Sequence, residues 1–154
     1  MYRMGILALL LDNSDGMQSL DKDKCVKMSL VHDLAECIVG DITPHCGISN
    51  EEKHRREKEA MMHLISLLDK NIGNEIIALW EEYEKQLTPE SKVVKDLDRF
   101  DMILQAYEYE NLLKQPSSLD EFFKCTKGKF QNPQVVKWTE ELYEMRNKMK
   151  MINN

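Results

Sequence analysis

The chain has 154 residues, 42% hydrophobic and 31% charged; it is the size of one ordinary domain, and its composition excludes disordered and fibrous classes. Six glycines and four prolines are few, and Val, Ile and Thr are sparse beside Leu, Met, Glu and Lys, which favours helices over strands. A net charge of −6 with scattered basic residues leaves no electrostatic footprint for a long nucleic acid, although carboxylates that hold a metal ion can still recruit a small phosphorylated ligand.

The apolar stretch Met4–Leu11 is too short to span a bilayer. Only Arg3 precedes it as a charge and Asp12-Asn13-Ser14-Asp15 follows without a cleavage site, so it reads as a buried helix rather than a signal peptide. The chain opens inside this helix with no capping residue, which predicts that a segment precedes Met1. Asn13 to Gly16 should end it. A second helix is predicted from about Ser19–Asp21, with Cys25, Met28, Val31, Ala35 and Ile38 at helical spacing, running unbroken to about Gly40. Asp41-Ile42-Thr43-Pro44 reads as a loop.

Ser49 and Glu52 form a capping-box pattern. The helix they open is charged through Lys58 and then apolar at Met61, Leu64, Ile65 and Leu68. Its charge run, Glu51 to Glu59, reads as a solvated face of i,i+4 pairs, with Lys53, His54, Arg55 and Arg56 cancelled by flanking glutamates. Asn74 is the predicted cap of the next helix, which carries Ile76, Trp80 and Tyr83. Thr88-Pro89-Glu90 starts a long helix reaching Lys114, striped by Val93, Leu97, Phe100, Leu104 and Tyr107. A short helix is expected around Leu119 to Cys125. Asn132-Pro133 starts the last one, with Val135, Trp138, Leu142, Met145 and Met149 on one face. No segment alternates with period two. The expectation is one compact all-α domain over residues 1–154, with about six or seven helices. Cys25, Cys37, Cys46 and Cys125 show no CxxC spacing and read as reduced, mostly buried thiols of a cytoplasmic protein.

The chemistry concentrates in Leu30–Asp41. On the predicted helix His32 and Glu36 are four apart with Asp33 beside them. Imidazole and carboxylate together suit a divalent metal, and a buried histidine hydrogen-bonded to neighbouring acids explains the same residues. Asp98 borders the apolar stripe of the long helix, with Asp101 one turn on. A carboxylate there is costly unless paired or metal-bound; a surface salt bridge to Lys95 or Arg99 is the ordinary alternative.

His32-Asp33 followed far downstream by Asp98 resembles the H…HD…D signature of the HD superfamily of metal-dependent phosphohydrolases. The strings His32–Ile42, Glu51–Glu57, Leu79–Glu84 and Gly128-Lys129-Phe130 are more specific. They resemble the HD domain-containing protein 2 group and, more distantly, YfbR-type 5′-nucleotidases, over essentially the whole chain. The resemblance implies an HD-domain bundle that hydrolyses deoxynucleoside 5′-monophosphates with a divalent metal (Mn²⁺, Co²⁺ or Mg²⁺). It implies His32, Asp33 and Asp98 as metal ligands and Glu36 as the acidic residue near the attacking water and a candidate ligand to a second metal. It sets Asp41 and the Ile42 carbonyl at that second metal or at the sugar end of the nucleotide.

A homodimer is implied too, with the Met145, Met149 and Met151 helix as one candidate surface; a nucleic-acid polymer and a membrane are not expected partners. The family's first histidine ligand falls immediately before the match to Met1, and an arginine and a tryptophan lie further upstream, so the domain reads as N-terminally incomplete relative to the family. That keeps a second reading open: a non-catalytic HD fold acting as a binding or dimerisation module. His45, His54 and His63 are expected at the surface, with no spacing that suggests a replacement ligand.

Overall fold

The computed structural model describes residues 1–12, 19–43 and 46–152. They form α1 (Tyr2–Leu10), α2 (Lys22–Val31), the single turn α3 (Glu36–Val39), α4 (Asn50–Ser66), α5 (Lys70–Lys85), α6 (Pro89–Leu113), α7 (Asp120–Thr126) and α8 (Pro133–Ile152). The expected all-α architecture is therefore present. Asn13 to Gly16, Pro44 and His45 lie outside the described residues.

Helix starts follow local capping chemistry. The Asp21, Ser49 and Thr88 side chains accept from the backbone N–H of Lys24, Glu52 and Ser91, at 2.9, 3.2 and 3.2 Å, each cap contributing about 1 kcal/mol. The capping box at Ser49 is half made, because the Glu52 carboxylate turns instead to Arg55 and Arg56. Asn74 does not cap α5. Asp69, five residues earlier, accepts from Asn71 N–H at 2.9 Å, and Asn74 lies within the helix. The early start brings Gly73 against α4, where a Cβ would fall 3.1 Å from the Ile65 carbonyl oxygen.

The 25-residue α6 is the axis of the bundle. Its Val93, Leu97, Phe100 and Ile103 pack with Met4 and Ala8 of α1, Cys25 and Met28 of α2 and Val135 and Leu142 of α8. A second, smaller core joins Ala35 to Ala60, Met61 and Trp80, between α3, α4 and α5. α6 also buries two carboxylates, and both fasten the C-terminal third. Asp96 accepts from the N–H groups of Gln131 and Asn132, each at 2.7 Å. Glu110 takes a two-pronged grip from Arg146, with both bonds 2.7 Å, and accepts from Leu119 N–H at 2.9 Å. The Arg146 guanidinium lies 3.7 Å above the Phe123 ring.

Two expectations about packing change. Only Cys25 is a buried thiol, pushed up to about 12 mainly by that burial, while Cys37, Cys46 and Cys125 are exposed. Cys37 is on the single turn α3, Cys46 in the stretch before α4 and Cys125 on α7, each on a side turned away from the core. On α8, Met149 is buried but Met145 and Met151 are exposed. His54 and His63 are at the surface as expected. Among the described residues, no helix is long and apolar enough to cross a membrane.

Candidate metal centre

The predicted unbroken helix through Gly40 is interrupted where the chemistry lies. His32 N–H still reaches the Met28 carbonyl four residues back, at 2.9 Å. From there Leu34, Glu36 and Cys37 bond three residues back, to Val31, Asp33 and Leu34, at 3.0, 3.0 and 3.3 Å. This tightening has a packing cause. Cys25 and Met28, before His32, belong to the large core, and Ala35, after it, belongs to the small one. The backbone bends between the two, and the His32-Asp33 pair occupies the bend.

The bend and the central helix bring three residues together. One ligand atom each from His32, Asp33 and Asp98 lies within 4.8 Å of the others. His32 Nε2 is 2.9 Å from Asp33 Oδ2 and 3.8 Å from Asp98 Oδ1, and its side chain is fully buried. On the other side of the ring, Nδ1 is 3.0 Å from the Ser29 carbonyl. A carbonyl only accepts, so Nδ1–H donates to it and Nε2 is presented to the carboxylates. Nε2 has no aligned hydrogen-bond partner despite its proximity to Asp33.

Asp98 is held from behind. Its Oδ2 accepts from the Tyr83 hydroxyl at 2.9 Å and from Lys95 Nζ at 2.8 Å, which leaves Oδ1 facing His32. The salt bridge to Lys95 that would have explained Asp98 by itself is thus real, and it coexists with the approach to His32. Burial would raise the Asp98 carboxyl, but His32 and Lys95 outweigh it and hold it well below the usual carboxylate range. Burial would likewise lower His32, and Asp33 with Asp98 outweigh it, raising the imidazole to about 9. Tyr83, pushed up by burial and by Asp98, stays a protonated donor; its ring meets His32 edge-on at 4.9 Å.

The other expected site residues stand apart from this group. Glu36 is half-buried, and its carboxyl is pushed up to about 7 by burial and then by the charges of Asp33 and Asp41. Asp41 is exposed, and the carbonyl of the buried Ile42 accepts from Lys53 Nζ at 3.1 Å. Asp101 pairs with Arg3, which also donates to Glu108 at 2.7 Å and Gln105 at 3.2 Å. Beside Asp33 and Asp98 opens a cavity of about 510 Å³ whose walls include Arg3, Met4, Asp101, Tyr109 and Phe122.

These residues fit a divalent cation. A buried imidazole nitrogen without an aligned partner faces two carboxylate oxygens, and its other nitrogen is fixed by a carbonyl, the outer hydrogen bond that orients metal-bound histidines. One nitrogen and two anionic oxygens suit a divalent cation. Sequence reasoning did not find Tyr83 as the partner of Asp98, nor the Ser29 carbonyl. Tyr83 read as a core residue, and only its position one turn past Leu79-Trp80 on the same helix hinted at more.

An all-α bundle with a His-Asp pair at a helix break, facing an aspartate of its central helix, defines an HD-type metal-binding domain. The family model described as HD domain matches residues 1–136, and the chain belongs to that family. It is 52% identical over 147 residues to the 5′-deoxynucleotidase HDDC2 of Xenopus laevis, covering 96% of this chain and 71% of that protein. The Homo sapiens 5′-deoxynucleotidase HDDC2 is 49% identical over 142 residues, covering 92% of this chain and 68% of that protein. Among solved structures, the HD domain-containing protein YGK1 superposes with a TM-score of 0.75 at 32% identity, covering 96% of this chain and 75% of that one.

Proposed function

We propose that the chain is a metal-dependent 5′-deoxynucleotidase, hydrolysing deoxynucleoside 5′-monophosphates to deoxynucleoside and phosphate. The observation that carries the reading is the convergence of His32, Asp33 and Asp98 in a chain about half identical to proteins named 5′-deoxynucleotidase. No feature of the site favours the non-catalytic alternative.

His32, Asp33 and Asp98 hold the cation, with Ser29 presenting the imidazole and Tyr83 and Lys95 steadying Asp98. When bound, the cation neutralises phosphate charge, polarises the phosphoryl group and acidifies water. Glu36, with its carboxyl near neutrality in the metal-free chain, is the proton acceptor for the attacking water. Water adds at phosphorus, the P–O5′ bond breaks, and Glu36 returns the proton to the departing 5′-oxygen. Asp41 and the Ile42 carbonyl serve a second cation or the sugar. The cavity with Met4, Tyr109 and Phe122 on its walls receives the nucleoside. Mn²⁺, Co²⁺ and Mg²⁺ are the proposed ions; a cytoplasmic homodimer that acts on free nucleotides, with neither a nucleic-acid polymer nor a membrane as partner, is the proposed setting.

The test is phosphate release from deoxynucleoside monophosphates with and without added Mn²⁺. His32→Ala and Asp98→Ala should each abolish metal-dependent release while circular dichroism shows the helices intact. Turnover persisting in both variants would overturn the ligand assignment.

A further inference from the structure

The two oxygens of Asp98 have different surroundings. Oδ1 faces His32 Nε2 at 3.8 Å. Oδ2 accepts from the Tyr83 hydroxyl of α5 at 2.9 Å and from the Lys95 ammonium, one turn back on α6, at 2.8 Å. Lys95 Nζ also lies 2.9 Å from the Tyr83 hydroxyl oxygen. An ammonium only donates, so the hydroxyl accepts from Lys95 and gives its single proton to Asp98. The three groups close a ring in which every donor direction is fixed, and both lone-pair sites of Oδ2 are taken. Tyr83 is buried, with its ring edge-on to His32 at 4.9 Å, which holds the hydroxyl in place. Asp98 lines the cavity beside the site and neither Tyr83 nor Lys95 does, so the ring backs the carboxylate from the side away from the cavity.

A carboxylate that grips an ion with both oxygens takes two coordination positions; with one oxygen it takes one. We propose that Tyr83 and Lys95 are positioning residues that restrict Asp98 to ligation through Oδ1 alone, so that the cation keeps a position open for water or phosphate. The inference rests on the proposed metal-dependent function and gives these two residues a task beyond steadying a ligand. A site with one nitrogen and two carboxylates would hold its ion more tightly if Asp98 closed on it with both oxygens. The ring forbids that closure, and hydrolysis needs the open position more than it needs the extra contact.

The experiment counts the water molecules coordinated to Mn²⁺ in the full chain, by electron–nuclear double resonance in isotope-labelled water. The double variant Tyr83→Phe with Lys95→Met keeps the aromatic ring against His32 and frees Oδ2. It should bind Mn²⁺ more tightly, carry one coordinated water fewer than the wild type, and release phosphate more slowly. Removing the Lys95 charge also tightens binding, so the water count decides, because charge alone does not change it. Residues that merely supported the fold would leave the count unchanged or raise it. Should circular dichroism show the double variant unfolded, the single variants carry the test: each frees one lone-pair site of Oδ2, and at least one should lose the water. An unchanged or larger count in every folded variant overturns the inference. Absence of any bound Mn²⁺ in the wild type overturns the metal reading beneath it, so the two failures are distinguishable.

Discussion

Raising the pH from about 6.5 to about 8.5 is expected to tighten Mn²⁺ binding at the first site by about a hundredfold. In the metal-free chain, Asp33 and Asp98 outweigh the burial of the His32 imidazole and raise it from 6.5 to about 9. The cation needs the Nε2 lone pair, so the proton there must leave. At neutral pH nearly every metal-free molecule carries that proton, and each bound ion therefore releases close to one. The apparent dissociation constant should fall about tenfold per pH unit and flatten above about 9. Calorimetric titrations in two buffers of different ionisation heat count the proton directly. Affinity that stays flat over this range, with no proton released, would refute the assignment of His32 as a ligand held between two carboxylates.

The same group links folding to pH. A folded pKa raised from 6.5 to about 9 gives stability that is fully present below the unfolded value and is lost as pH rises through the folded one. The contribution is roughly 3 kcal/mol. The metal-free Tm should therefore drop between those two values, and saturating Mn²⁺ should reduce the drop; a metal-free Tm that rises across that window contradicts it.

Arg146→Met strands the buried Glu110 carboxylate and should cost roughly 3–5 kcal/mol, seen as a Tm loss of roughly 10 °C. The double variant with Glu110→Met should recover part of this; a single-variant loss too small to resolve would show that the buried pair is not needed. Gly73→Ala should gain about 1 kcal/mol from helix propensity alone, yet its Cβ would meet the Ile65 carbonyl at 3.1 Å. Net destabilisation in urea unfolding is expected, and a net gain would show that α4 yields easily.

Much of the site was legible because its residues are expensive where they stand. His32 and Asp33 interrupt an apolar stretch and Asp98 borders a core stripe, and burial without partners would penalise all three. The caps at Ser49 and Thr88 were legible for the same local reason. The break after Val31 was not, because Leu34, Ala35 and Ile38 continue the helical period and nothing in sequence says that Leu34 and Ala35 serve a different core while Ile38 is exposed. Asp69 and Asn74 are both good cap residues, and local sequence does not choose between them; the helix that starts at Asp69 sets Gly73 against Ile65. The pairing of Glu110 with Arg146, like that of Tyr83 with Asp98, depends on how distant helices cross. Each of these residues alone reads as an ordinary helix position.

The bend at His32-Asp33 joins two cores that otherwise fold around separate sets of side chains. A ligand pair at such a seam is assembled only while both sides are closed, so partial opening of either abolishes cation binding before the molecule as a whole unfolds. Mass action then works in reverse: a bound ion penalises opening on both sides. Amide hydrogen exchange in the small core around Ala60, Met61 and Trp80 should slow on adding Mn²⁺, although none of those residues touches the site. Exchange there that ignores the ion would mean that the seam transmits nothing. With coupling of this kind, the cation acts as a clasp that makes one cooperative unit of a bundle with two interiors.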